Sequence, residues 1–130
     1  MNKKVLVVDD DPDVRSFVVT VLEENQYTPL VAHDGIEGLE MIEKSAPDLI
    51  ILDVLMPRGS GIRLYHHLKT DDVLKHIPVI MFTGIALKSF LKSQKALDEF
   101  KGGEIPRPEI YLEKPVEPEE LVRAIQKKIG

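Results

Sequence analysis

The stretch VLVVDDD, residues 5–11, sets four consecutive apolar residues directly against three aspartates. Val5 to Val8 show no in–out alternation. A strand of that kind is buried on both faces, as in a parallel sheet covered by helices. Asp11 and Pro12 then read as a helix N-cap followed by proline at the first helical position. Val14, Phe17, Val18, Val21 and Leu22 come next, at the spacing of one helical face. The opening of the chain is therefore a strand, an acidic edge and a helix.

The same unit repeats outward from there. Thr28–Ala32 reads as a second strand, and Gly35–Ser45 as a helix with Ile36, Leu39 and Ile42 on one side. Leu49–Leu52 is a third buried strand. Residues 57–61 form a turn, with Ser60 placed to cap a helix from about Ile62 to Thr70. Pro78–Phe82 is a fourth strand, Leu87–Phe100 a helix and Ile110–Leu112 a fifth strand. Pro118 opens a last helix that buries Leu121, Val122, Ile125 and Ile129. Five rounds of strand then helix predict an α/β fold, a five-stranded parallel sheet with helices on both faces. The expected organisation is one domain over residues 1–130. The segment KGGEIPRP at 101–108 is no linker, because the sheet is incomplete without the fifth strand beyond it.

Composition narrows the function. The chain has 130 residues and no cysteine, so disulfides and thiolate chemistry are excluded. A net charge of −5 argues against a general nucleic-acid binder. No run approaches the roughly 20 apolar residues of a membrane span. A cytoplasmic protein with no membrane partner is the expectation. His66 and His67 are adjacent, point apart on a helix and read with His76 as surface residues. Lys88, Lys92 and Lys95 read as a solvated helix face.

In an open parallel sheet, ligands bind at the carboxyl ends of the strands. The first strand ends in Asp9, Asp10 and Asp11, the third in Asp53, the fourth in Thr83 and Gly84, and the fifth runs on to Lys114 and Pro115. Two carboxylates about 4 Å apart repel by roughly 4 kcal/mol at an effective dielectric of 20. Either one becomes protonated or a cation sits between them, and an all-oxygen site suits magnesium. Lys114 and Thr83 add a positive charge and a hydroxyl donor, the groups that phosphoryl transfer needs. A carboxylate can serve as the phosphoryl nucleophile. Taken singly, each feature has a plainer reading. The acidic run can be helix capping, Thr83 a cap, Lys114 a solvated lysine and Tyr111 simple packing.

The motifs VLVVDDD (5–11), DLIILDVLMP (48–57), FTG (82–84) and YLEKP (111–115) occur in the order and spacing of response-regulator receiver domains. The chain resembles that family of two-component signalling over essentially its whole length. The resemblance implies a flavodoxin-like fold with strand order 2-1-3-4-5. It implies Asp53 as phosphoacceptor, and a magnesium site formed by Asp10, Asp53, the Leu55 backbone carbonyl and, through water, Asp9. Thr83 and Lys114 would bind the phosphoryl group, and the Lys114–Pro115 peptide would be cis. Tyr111 would turn inward as Thr83 moves, altering the face made by the fourth helix, fifth strand and fifth helix. The implied partners are a histidine kinase or histidine phosphotransfer protein, a downstream protein of unknown identity and, in some arrangements, a second copy of the chain.

The same residues leave two rivals. An aspartate-dependent phosphatase needs a second acid two residues after its nucleophile, and Leu55 stands there. The chain is thus expected not to be a conventional enzyme. A degenerate interaction module that never takes phosphate is the alternative, opposed by the intact set Asp9, Asp10, Asp53, Thr83 and Lys114. The chain also departs from the family. Arg58-Gly59-Ser60-Gly61 replaces a frequent glycine–variable–aspartate–glycine, with Gly59 and Gly61 expected to keep the turn. The stretch between Thr83 and Lys114 is longer than usual, which predicts a longer fourth helix or a longer loop after it, and an altered output face.

Overall fold

A computed structural model describes residues 2–101 and 106–130. The strands are β1 (Lys4–Val8), β2 (Thr28–Ala32), β3 (Leu49–Leu52), β4 (Val79–Thr83) and β5 (Ile110–Glu113). The helices are α1 (Pro12–Glu24), α2 (Gly35–Ser45), α3 (Ser60–Thr70), α4 (Leu87–Lys101) and α5 (Pro118–Ile129). The strands pair in parallel in the order β2-β1-β3-β4-β5.

Strand alternation divides the interior into two cores. Leu6, Val8, Ile50, Leu52, Val79 and Met81 pack with Ile42, Leu64, Leu68 and Phe90 from α2, α3 and α4. Val5, Val7, Leu49, Ile51, Ile80 and Phe82 pack with Val18, Leu22, Leu121 and Ile125 from α1 and α5. Both faces of β1 and β3 are thereby covered, which is why those strands carry no polar alternation.

Helix starts obey local chemistry where a capping residue is present. The Asp11 side chain accepts from the Asp13 amide ahead of α1, and Asp34 accepts from the Glu37 amide ahead of α2. The expected bounds shift by one or two residues elsewhere. Strand β4 begins at Val79 and includes Thr83, and α3 begins at Ser60. The fourth helix covers 15 residues, from Leu87 to Lys101, one residue beyond the expected Leu87–Phe100. Residues 102–105 of the segment that follows it lie outside the described residues.

Three details differ from the expectations raised by the sequence. Ile36, in the first turn of α2, does not join Ile42 in the core but is 73% exposed. Ser60 is no cap, since its buried hydroxyl has no hydrogen-bond partner. The 3-10 turn at Pro57–Gly59 places Arg58, rather than a glycine, in the left-handed region at φ 60°.

Candidate functional site at the carboxyl edge of the sheet

The parallel ladders continue just past the strand ends and align the polar residues. The Asp53 amide donates to the Val8 carbonyl at 3.0 Å, and the Asp9 amide donates to the Ala32 carbonyl at 3.1 Å. The Lys114 amide donates to the Thr83 carbonyl at 2.8 Å. Asp9, Asp53, Thr83 and Lys114 are thus held by backbone bonds at one edge. The Lys114–Pro115 peptide is cis.

The side chains converge. Carboxylate oxygens of Asp9, Asp10 and Asp53 lie within 4.8 Å of one another. Lys114 Nζ donates to Asp9 Oδ2 at 2.8 Å and to Asp53 Oδ2 at 3.3 Å. Asp9 and Asp53 are buried, at 1% and 4% exposure, whereas Asp10 faces solvent. The second oxygen of each buried carboxylate also has a backbone donor. Asp53 Oδ1 accepts from the Leu55 amide at 3.0 Å and Asp9 Oδ1 from the Asp11 amide at 2.9 Å.

Charge accounting identifies what the cluster favours. Each carboxylate pair repels by about 3–4 kcal/mol at an effective dielectric of 20. One ammonium against three carboxylates leaves two net negative charges. Burial pushes Asp9 above its usual range against the opposing effect of Lys114. Burial alone would lower Lys114, but the hydrogen bond to Asp9 and the charges of Asp53 and Asp9 outweigh it and hold the ammonium above its ordinary value. An exclusively oxygen donor set with a deficit of two charges fits a hard divalent cation. Among the described residues, this is the one such acidic cluster, and no histidine joins it.

Thr83 is fully buried, and its Oγ1 accepts a long bond of 3.4 Å from the Ile85 amide. Its own hydroxyl proton is not engaged by that bond. Tyr111 is half-buried with its ring 5.5 Å from that of Phe90, and its hydroxyl donates to the Ile85 carbonyl at 2.6 Å. Burial, then the charges of Glu113 and Asp53, push its phenol up to about 12. Leu55 places its side chain in solvent beside Asp53, at 57% exposure.

Sequence reasoning missed several supports. The Arg15 guanidinium donates to the Asp9 carbonyl at 2.7 Å, fixing the acidic edge from α1. Glu113 accepts from the Leu87 amide at 3.1 Å, joining β5 to the start of α4. Arg15 lies one residue beyond the apolar Val14 on α1, so its reach was readable in outline. Nothing local marks the contact of Glu113, which spans two segments distant in sequence.

A doubly wound parallel sheet with an acidic triad and a lysine at its carboxyl edge is the architecture of phosphorylation-type signalling receivers. The family model described as response regulator receiver domain matches residues 5–126, and the chain belongs to that family. It is 35% identical over 126 residues to the phosphate regulon transcriptional regulatory protein PhoB of Escherichia coli, covering 97% of this chain and 51% of that protein. The chain therefore spans about half of that relative's length. The polar-differentiation response regulator DivK of Brucella anthropi is 30% identical, with 100% of this chain and 98% of DivK covered. The structure of Vibrio cholerae chemotaxis protein CheY4 superposes with a TM-score of 0.80 at 30% identity, over 98% of this chain and 99% of that one. The fold with strand order 2-1-3-4-5 is that of these receivers.

Proposed function

We propose that this receiver takes a phosphoryl group from a phosphohistidine onto Asp53, aided by magnesium, and signals through the face formed by α4, β5 and α5. The observation that carries the reading is the placement of Lys114 against both Asp9 and Asp53, beside carboxylates still short of two positive charges. Asp10, Asp53 and the Leu55 carbonyl would hold the ion, with Asp9 beside them. When bound, the ion would supply the charge that neutralises phosphoryl oxygens.

The residues of the chain do the rest. An Asp53 carboxylate oxygen forms the new bond to phosphorus as the phosphorus–nitrogen bond of the donor breaks, its electron pair returning to the imidazole. Lys114 shifts part of its interaction from Asp53 to the added group. The free hydroxyl proton of Thr83 donates to a phosphoryl oxygen. That movement pulls on the loop after Thr83, where Ile85 is bonded to Tyr111. The group stays on the protein, so the chain is a signalling acceptor and not a conventional enzyme. A full switch from 1:99 to 99:1 needs about 5.5 kcal/mol. A charge-assisted bond from Thr83 contributes ~1.5–3 kcal/mol, so Lys114, the ion and the partner supply the remainder. The donor is a histidine kinase or a histidine phosphotransfer protein, and the whole of residues 1–130 acts as one cytoplasmic receiver unit.

Incubation with acetyl phosphate and magnesium, with intact mass as the readout, tests this. One added phosphoryl group is expected, lost with Asp53→Asn and with chelation of the ion. No addition to the wild-type chain would sink the reading and leave an interaction module on a receiver fold.

A further inference from the structure

We propose that Glu113 is a positioning residue that fastens the start of α4 to β5 and so favours the arrangement in which Tyr111 is bonded to the β4–α4 loop. The proposal rests on the reading that this loop responds to events at Asp53.

Helix α4 begins at Leu87, and the Phe90 amide donates to the Ala86 carbonyl, so Ala86 occupies the capping position. Alanine has no side-chain acceptor and is among the poorest caps. The first amides of α4 therefore need an acceptor from elsewhere. Glu113 supplies it, since its Oε1 accepts from the Leu87 amide. A carboxylate there also complements the positive end of the helix dipole.

The position of Glu113 gives that cap a second consequence. Residues 111 and 113 are two apart on β5 and project to the same side of the sheet. Tyr111 bonds to the Ile85 carbonyl in the loop, and Glu113 to the amide of Leu87, two residues further along where α4 begins. The loop between Thr83 and α4 is thus pinned by two side chains of one strand, at alternate positions. Thr83 lies at its other end, bonded to the Ile85 amide. Any displacement of the loop that breaks the Tyr111 bond strains the Glu113 bond, and the reverse. The two bonds belong to one conformation and support each other. Residues 84–87 of the loop carry no charged side chain of their own that could replace the carboxylate.

Losing a cap of this kind shifts a two-state equilibrium by about fivefold. The test uses the full chain with fluorotyrosine at its three tyrosines, read by fluorine NMR without any ligand. In Glu113→Ala, the Tyr111 signal should move toward its solvent-exposed position, with the ratio of bonded to unbonded form lowered about fivefold, while Tyr27 stays unchanged. Glu113→Gln keeps an acceptor and should restore part of the shift. Beryllofluoride with magnesium should bind the alanine variant more weakly than wild type, by up to about fivefold. A Tyr111 signal identical in wild type and Glu113→Ala would overturn the proposal. If wild type itself failed to bind beryllofluoride, the acceptor role of Asp53 would fail, and the ligand-free tyrosine spectrum would alone decide the role of Glu113.

Discussion

Gly61 and Asp53 approach each other so closely that a methyl group on Gly61 would lie 2.3 Å from the Asp53 carbonyl oxygen. The same methyl would meet the Val54 Cα at 2.7 Å. Both obstacles are backbone, and neither can rotate away. The first turn of α3 is therefore pressed directly against the segment that carries Asp53. Gly61→Ala is expected to destabilise the fold by about 1–3 kcal/mol, as overpacking does. Because the displaced backbone is that of Asp53, phosphorylation by acetyl phosphate should slow as well. Urea denaturation and intact mass time courses measure the two effects. Full stability with unchanged labelling would show that this contact is slack.

On the proposed phosphorylation of Asp53, the residue expected to set the lifetime of the acyl phosphate is Leu55. Its amide holds Asp53 Oδ1, and its exposed side chain borders Asp53 without any group to orient a water. Hydrolysis of an acyl phosphate there lacks a positioned hydrogen-bond partner for the attacking water. Leu55→Asn keeps the backbone amide and adds a polar side chain at the same place. The acyl-phosphate lifetime should fall by about tenfold. Intact mass after removal of the donor measures it, and an unchanged or longer lifetime would count against this account.

The segment leading from Pro106 into β5 is tied to α3. The buried Tyr65 hydroxyl donates to the Pro106 carbonyl at 2.5 Å, and the Tyr65 ring meets Phe90 edge-on with centroids 6.4 Å apart. Phe90 in turn packs on Tyr111. Tyr65→Phe removes the hydroxyl and leaves the ring. The expected cost is about 1 kcal/mol of stability, the net worth of one neutral hydrogen bond. Thermal or urea unfolding reads it, and faster amide exchange after residue 106 should accompany the loss.

Legibility in the sequence tracked the range of the interactions. Patterns set by adjacent residues were readable. The unbroken apolar run of Leu49–Leu52 gave a doubly covered strand, and Asp11-Pro12 gave a helix start with its cap. The acidic edge was readable because each member ends a strand, and parallel strands bring their ends together. Its geometry rewarded that inference, with Lys114 reaching both Asp9 and Asp53. Interactions between distant segments were not readable. Gly61 looked like a turn residue, whereas its lack of a side chain serves the approach of α3 to Asp53. Ser60 looked like a cap, yet its hydroxyl is buried and unbonded. Ile36 matched a helical stripe, but in the first turn of α2 it is left in solvent.

The start of α2 carries a pH-dependent pair whose sign can be worked out. His33 Nδ1 lies 2.9 Å from Glu37 Oε2, and Nε2 lies 3.3 Å from Asp34 Oδ2. The hydrogen bond to Glu37, then the charges of Glu37 and Asp34, raise His33 above its ordinary 6.5. The bond from His33 lowers Glu37 below its ordinary 4.5. A raised histidine contributes stability fully below its unfolded value and loses it as pH rises through the folded value. A lowered carboxylate contributes above its unfolded value and loses it as pH falls through the folded one. The pair therefore supports α2 most between about pH 4.5 and 6.5. All three side chains are substantially exposed, so salt should weaken the effect. NMR titration of the His33 ring should give a midpoint above 6.5, moving back toward it in Glu37→Gln. A midpoint that the Glu37→Gln substitution leaves in place would show that the carboxylate does not hold the imidazolium.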